Sequence, residues 1–315
     1  MRERSAEPNP EPAVGPARDA FPGWSPQFAA ALQRLAIPQR QRARGLRYGE
    51  VRAASRGRAL EFADHRPYMA GDEPRLVDWR AYARLGRLFL KQHEEERART
   101  VTILLDVSAS MDWGDQDQVE GDAHKGRFAR RLAAAITLVA VSRHDTVALC
   151  LLRDGRSRRL STVQSLASAG GCFRLLAEVV EDGRAELAAA VREALAPAPR
   201  GPTILLSDFL EPGWPEALAA MTPAGEAVAI QILAPSEWSP PLGEEVELLD
   251  AESGDTRLTR LGTPELAAYS ARLEEFLMSV EAECQRLGIA HAALNSAMPL
   301  QDVLFRQLPA AGILE

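Results

Sequence analysis

Val101-Thr102-Ile103-Leu104-Leu105-Asp106-Val107-Ser108-Ala109-Ser110-Met111 is the stretch on which the reading of this chain turns. Val101–Leu105 is an apolar run too short for a buried helix and too continuous for a strand wetted on one face. It reads as a central strand covered on both sides. The residues after it supply the covering. Lys125–Ser142 places Phe128, Leu132, Ala135, Ile136 and Val139 on one helical face. Thr146–Leu152 reads as a second strand, with Arg158–Ser161 pairing back onto it. Helices are expected at Arg174–Val180, Glu186–Leu195 and Trp214–Met221, and strands at Thr203–Leu206, Val228–Leu233 and, at an edge, Val246–Leu249. A long helix capped by Thr263 carries Leu266, Tyr269, Leu273, Phe276, Leu277, Val280, Cys284 and Leu287 at steps of three and four, and Gly288 ends it. Ile289–Ala293 adds a strand, and Pro299 opens a terminal helix with Leu300, Val303, Leu304 and Leu308 inward. Strands alternating with amphipathic helices predict an α/β fold with a doubly wound, mostly parallel sheet.

The flanks read differently. Residues 1–24 are rich in Pro, Glu, Ala and Arg without apolar periodicity and are expected to be disordered. Residues 25–99 form an N-terminal segment. It opens on a short helix with Ser25 as cap, Pro26 in its first turn, and Phe28, Leu32 and Leu35 inward. A basic, glycine-containing stretch from Arg42 to Arg58 comes next, then short extended pieces near Leu60–Phe62 and Arg87–Gln92 and a turn at Gly71-Asp72. The main domain is expected over 100–298, and 299–315 is a C-terminal helix and tail.

Bulk properties exclude several classes. Net charge is −7, from 37 basic and 44 acidic residues, which argues against a nucleic-acid binder working by electrostatic attraction. Three scattered cysteines (Cys150, Cys172, Cys284) form no zinc or redox motif and suit a reducing compartment. The polar N-terminus has no signal-peptide core, and the longest near-apolar stretch, Leu132–Val141, is too short to span a bilayer. The expectation is a soluble, cytoplasmic protein without a membrane span.

In a parallel sheet, ligands gather beyond the carboxyl ends of the strands. There, Asp106, Ser108 and Ser110 leave the first strand at i, i+2 and i+4, and a later strand ends in Ser207-Asp208-Phe209. Carboxylate and hydroxyl oxygens are hard ligands suited to Mg²⁺ or Mn²⁺. Were the two strands neighbours, Asp106 and Asp208 would repel unless a cation lay between them. Taken singly, each motif is equally a turn or a helix cap.

Asp106-x-Ser108-x-Ser110 with Ser207-Asp208 resembles the metal-ion-dependent adhesion site of von Willebrand factor A domains. The preceding segment narrows the likeness. Gly57-Arg58 through Arg66-Pro67-Tyr68, then Gly71-Asp72-Glu73-Pro74-Arg75, Val77-Asp78-Trp79-Arg80, Ala83-Arg84 and Leu88 to Glu96 run straight into the metal-site strand. That order resembles the bacterial family DUF58, over about residues 40–300. The resemblance implies a von Willebrand A or Rossmann-like sheet, a metal held by Asp106, Ser108, Ser110 and Asp208, and a coordination position left open for a partner's carboxylate. It also implies a MoxR-type AAA+ ATPase as partner, and it implies no established activity. One departure stands out: where such sites add a threonine, Gly183-Arg184-Ala185-Glu186 has Ala185, leaving Glu186, a water or Thr162 to serve.

Enzyme motifs are missing. Ser108 stands where a haloacid-dehalogenase-like phosphatase needs a second Asp, the serines lack a G-x-S-x-G elbow, and there is no P-loop. None of the five histidines has a motif tying it to a serine. The function expected is therefore a metal-dependent protein-interaction module, an adaptor for a MoxR-type ATPase, rather than an enzyme. A metal-dependent hydrolase using the same pocket and a scaffold with a degenerate site are the alternatives. A second candidate surface holds Arg66, Tyr68, Asp72, Arg75, Asp78, Trp79 and Arg84, read either as partner-docking or as an internal ion-pair network, with Trp79 a buried anchor in both cases.

Overall fold

The computed structural model describes residues 24–38, 65–67, 79, 82, 86–91, 99–114, 123–196, 201–240, 245–249, 256–260 and 262–315. The chain forms two compact units, one of residues 41–98 and one of residues 1–40 with 99–315. In the smaller unit, β1 (His65–Pro67) pairs antiparallel with β2 (Phe89–Lys91), His65 opposite Lys91. The expected basic stretch at 42–58, the extended piece at 60–62, the turn at Gly71-Asp72 and nearly all of the tail lie outside the described residues.

The larger unit is α/β. Its elements are α1 (Pro26–Leu32), β3 (Thr100–Asp106), α2 (Lys125–Ser142), β4 (Thr146–Arg153), β5 (Arg156–Val163), α3 (Leu166–Ala177), α4 (Leu187–Ala194), β6 (Thr203–Ser207), α5 (Trp214–Met221), β7 (Ala227–Leu233), α6 (Pro235–Trp238), β8 (Glu245–Leu249), β9 (Thr256–Arg260), α7 (Thr263–Leu287) and β10 (Ala290–Asn295). Six of these strands form one sheet in the order β10-β7-β6-β3-β4-β5, parallel throughout except for the β4–β5 hairpin.

Strand alternation divides the core into two layers. Val101, Ile103 and Leu105 face the layer of α1, α2, α3 and the C-terminal residues; Leu104 faces that of α4, α5 and α7. The sheet is thus wound on both faces, as the apolar run of β3 predicts. Among the described residues no helix is long and apolar enough to cross a membrane.

Several elements differ from the sequence reading. The helix expected at Arg174–Val180 runs instead over Leu166–Ala177, with Ser165 and Ser168 forming a capping box. Gly170 and Gly171 mask its pattern, yet Ala169, Cys172, Phe173 and Leu176 are buried at helical spacing. Arg130 accounts for its end by donating to the carbonyls of Leu176, Ala177 and Val179. Gly262, not Thr263, is the N-cap of α7. Glu245–Leu249 is no edge of the main sheet; it pairs with Thr256–Arg260 in a separate hairpin, and β10 takes the edge beside β7.

The short helix α1 belongs to the larger unit by its packing. Ser25 Oγ accepts from Phe28 N at 3.1 Å, and Trp24 sets its ring edge-on to Phe28 and to Phe173. Beyond the helix, Arg143 donates to the carbonyls of Arg34 and Leu35, and Arg99 to that of Ile37 while it pairs with Asp145. Ala36 and Glu315 exchange both backbone hydrogen bonds, at 2.8 and 2.9 Å. Leu300, Val303, Leu304 and Leu308 are buried in the same layer, as their spacing predicts.

Leu32 is wholly buried in that layer. Leu32→Ala should therefore cost about 3 kcal/mol of unfolding free energy. Urea denaturation measures this, and a loss below about 0.5 kcal/mol, as for a surface site, would show that α1 is an appendage.

Candidate functional site

The candidate site lies where β3 and β6 end side by side. Leu104 is level with Leu205 and Leu105 with Leu206, so the next step brings Asp106 beside Ser207 rather than Asp208. Ser207 Oγ donates to Asp106 Oδ2 at 2.6 Å and accepts from Phe209 N at 3.0 Å. The other carboxylate oxygen, Oδ1, accepts from Ser108 N at 3.0 Å and from Ser108 Oγ at 2.7 Å. Ser108 Oγ and Ser110 Oγ lie 3.1 Å apart. Asp106, Ser108 and Ser207 are buried, and Ser110 is half-buried. Three of the four expected metal ligands are thus joined in one chain of oxygens.

Asp208 is close enough to Asp106 to disturb it electrostatically. Burial, then the Asp208 charge, push the Asp106 carboxyl up to about 6 against the opposing hydrogen bonds of Ser207 and Ser108. Asp208 itself is held elsewhere. Period-two alternation turns its side chain toward the layer of α2, where Lys125 Nζ donates to Asp208 Oδ2 at 2.8 Å and to Glu237 Oε1 at 2.7 Å. Asp208 Oδ1 accepts from Leu210 N at 3.1 Å. The cation that Asp208 meets is an ammonium from this chain, and the Asp208 charge still acts on Asp106.

The loop after α3 closes one side. Asp182 N donates to Val107 O and Ala109 N to Gly183 O, both at 3.0 Å. Ala185 is buried in this loop. Thr162 cannot take its place. It pairs with Ala148, which is level with Thr102, four residues short of Asp106 and so about 13 Å down the sheet. Glu186 Oε2 lies against Gly155 at the β4–β5 turn.

The hydroxyls of Ser108 and Ser110 have no histidine partner among the described residues. His124 caps α2: its Nδ1 accepts from Arg127 N, so Nε2 bears the hydrogen and donates to Asp112 Oδ1 at 2.9 Å. Large apolar side chains stand exposed on the loops around the site: Trp113 after β3, Leu210 after β6 and Val180 after α3. Trp113 Nε1 donates to Ser236 Oγ, next to Glu237.

Sequence reasoning missed Ser207 as the donor to Asp106 and Lys125 as the partner of Asp208. The first was available from parallel register. The second was not, because a lysine opening a helix ordinarily points to solvent. In the other candidate surface, Tyr68, Asp72, Arg75, Asp78 and Arg84 lie outside the described residues, and of Arg66 only the strand backbone is described. The expectation of a buried Trp79 is corrected: it is 61% exposed, and its ring packs edge-on against Tyr82, itself exposed.

Residues 64–272 match the family model described as "Protein of unknown function DUF58". The chain belongs to the DUF58 family. Uncharacterized proteins of Mycobacterium tuberculosis and Mycobacterium bovis are each 28% identical to this DUF58 protein over 244 residues, covering 74% of its chain and 73% of theirs. Among solved structures, the conserved hypothetical protein BatB from Bacteroides thetaiotaomicron aligns at a TM-score of 0.36 and 16% identity, covering 68% of this chain and 98% of its own. An aerotolerance-related membrane protein from Bacteroides fragilis aligns at 0.36 and 16%, covering 67% and 99%. Likenesses at that level carry no argument about function.

Because Asp106 is raised from 3.8 to about 6, its protonated form is favoured by folding. In chelator, its contribution to stability is full below pH 3.8 and is lost as the pH rises through about 6. Asp106→Asn should flatten this loss, leaving the metal-free variant more stable than wild type at pH 8 by thermal melting; an unchanged pH profile would contradict it. Ser207→Ala orphans one oxygen of Asp106 and the amide of Phe209, and should cost about 1–3 kcal/mol in denaturant titration.

Proposed function

We propose that this DUF58 protein is a metal-dependent protein-interaction module with a von Willebrand A-type site, in which Asp106, Ser108 and Ser110 seat Mg²⁺ or Mn²⁺ and leave a position for a partner's carboxylate. The observation that carries this reading is the spacing of the oxygens. Cis ligands of an octahedral Mg²⁺ lie about 2.9 Å apart, given metal–oxygen distances of about 2.1 Å. Here Ser108 Oγ stands 2.7 Å from Asp106 Oδ1 and 3.1 Å from Ser110 Oγ. The donors are hard oxygens, one of them charged, as these cations prefer. When bound, the cation supplies a Lewis-acidic point that attracts an Asp or Glu from the partner. Asp106, Ser108 and Ser110 would hold it, while the exposed Trp113, Val180 and Leu210 offer apolar area on the surrounding loops, and Trp is favoured at binding hot spots.

The partner class we propose is a MoxR-type AAA+ ATPase, with this chain as its adaptor in the cytoplasm. That choice rests on the family resemblance rather than on the geometry. A scaffold with an inert site is the second reading. Ala185 in place of a hydroxyl and the lysine on Asp208 favour it.

Thermal melting with added Mn²⁺ or Mg²⁺ separates the two. An ion that binds only the native state at a hundred times its dissociation constant stabilises by about 2.7 kcal/mol, and Asp106→Ala should lose that stabilisation while remaining folded. Capture of the ATPase should require the cation and fail with Asp106→Ala. Undiminished capture from the variant, or in chelator, would sink the metal-dependent reading. Trp113→Ala should weaken capture by about 2 kcal/mol without changing the response to metal.

A further inference from the structure

Lys125 is among the largest fully buried side chains of the described residues, and it is the charged one. Such a residue is rarely buried unless paired, and this one is paired twice, with Asp208 at 2.8 Å and Glu237 at 2.7 Å. Each carboxylate is fixed from behind. Asp208 also takes the amide of Leu210, and its backbone carbonyl takes Gln231 Nε2. Glu237 Oε2 takes the amide of Ala234 at 2.7 Å, and its backbone carbonyl takes Tyr269 Oη at 2.6 Å. The ammonium therefore ties the start of α2 to the loop after β6 and to α6 after β7, at the same end of the sheet as Asp106.

We propose that Lys125 is a built-in counter-cation that withholds Asp208 from a divalent ion and thereby sets the metal affinity of the site. The inference rests on the metal reading given above and adds its regulation. An ammonium and a divalent ion compete for one carboxylate, since each repels the other at short range. With Asp208 engaged by Lys125, a metal at Asp106, Ser108 and Ser110 meets one free protein carboxylate instead of two. Such a site binds its ion weakly and leaves it more positive toward an incoming carboxylate, because ligand charge count tunes affinity. Glu237 makes the competition reversible: were Asp208 to turn toward the metal, the lysine would keep a partner and avoid standing alone in the core. Lys125 is accordingly a positioning residue, acting on the metal through Asp208.

The test is calorimetric titration of the full chain with Mn²⁺ alone. Lys125→Met keeps the length and removes the charge, and should bind Mn²⁺ about tenfold more tightly than wild type. Adding Asp208→Asn to it should abolish the gain, and Lys125→Arg should stay near wild type. Asp208→Asn alone should leave affinity within about twofold. Circular dichroism checks folding; if Lys125→Met does not fold, Lys125→Met/Glu237→Gln, with one fewer uncompensated carboxylate, is read in its place. A folded lysine variant that binds Mn²⁺ no more tightly than wild type overturns the proposal, as does a tenfold loss in Asp208→Asn. A wild type that takes no Mn²⁺ sinks the metal reading; a lysine variant that then gains affinity still supports the lock, and one that gains none overturns it.

Discussion

A carboxylate buried at the end of a central strand must be given donors, and the geometry at this end of the sheet results from meeting that need for Asp106. Ser207 supplies one from the neighbouring strand and Ser108 supplies two from the turn just beyond. The turn then continues as a single 3-10 turn at Ala109–Met111, which sets Ser110 Oγ next to Ser108 Oγ. Each group is held in place by the requirement that a buried polar atom find a partner. The cluster is therefore fixed by its own hydrogen bonds.

Charge balance is the second constraint. Asp106, Asp208 and Glu237 bring three carboxylates to the carboxyl ends of β3, β6 and β7, and Lys125 brings one ammonium. The lysine offsets the pair it touches, and Asp106 is left with hydrogen bonds alone. Burial, and then the charge of Asp208, displace its carboxyl toward the neutral form against those hydrogen bonds. The same partition separates two roles that a sequence motif merges: Asp106 faces the hydroxyls, and Asp208 faces the core.

The frame behind the site is stiff for identifiable reasons. The strands that carry it are buried on both faces, and α2, which begins at Lys125, is buried along most of its length. The chain before β3 and the last residues of the C-terminus are zipped to each other through Ala36 and Glu315 and clamped by Arg99 and Arg143. Strand ends set in such a frame position side chains more tightly than free loops do.

Sequence alone determined the α/β class, the central strand, the bounds of α2 and α5, the apolar stripe of α7, the inward leucines of the C-terminus and the presence of Asp106, Ser108 and Ser110 on one turn. These are local properties: an apolar run with no alternation, a period of three and four, or a spacing of two within a tight loop fixes them without reference to the rest of the chain. Tertiary structure decided what depends on which elements become neighbours. Parallel register put Ser207, not Asp208, against Asp106. The packing of α2 put Lys125 under Asp208, and the Glu245–Leu249 strand found its partner in a hairpin outside the main sheet. Trp79 came to lie exposed for the same reason, since burial of an aromatic ring is a property of what covers it. Pairings between residues eighty or a hundred positions apart leave no periodic trace in a single sequence, because their energy resides in contacts that exist only once the sheet has closed.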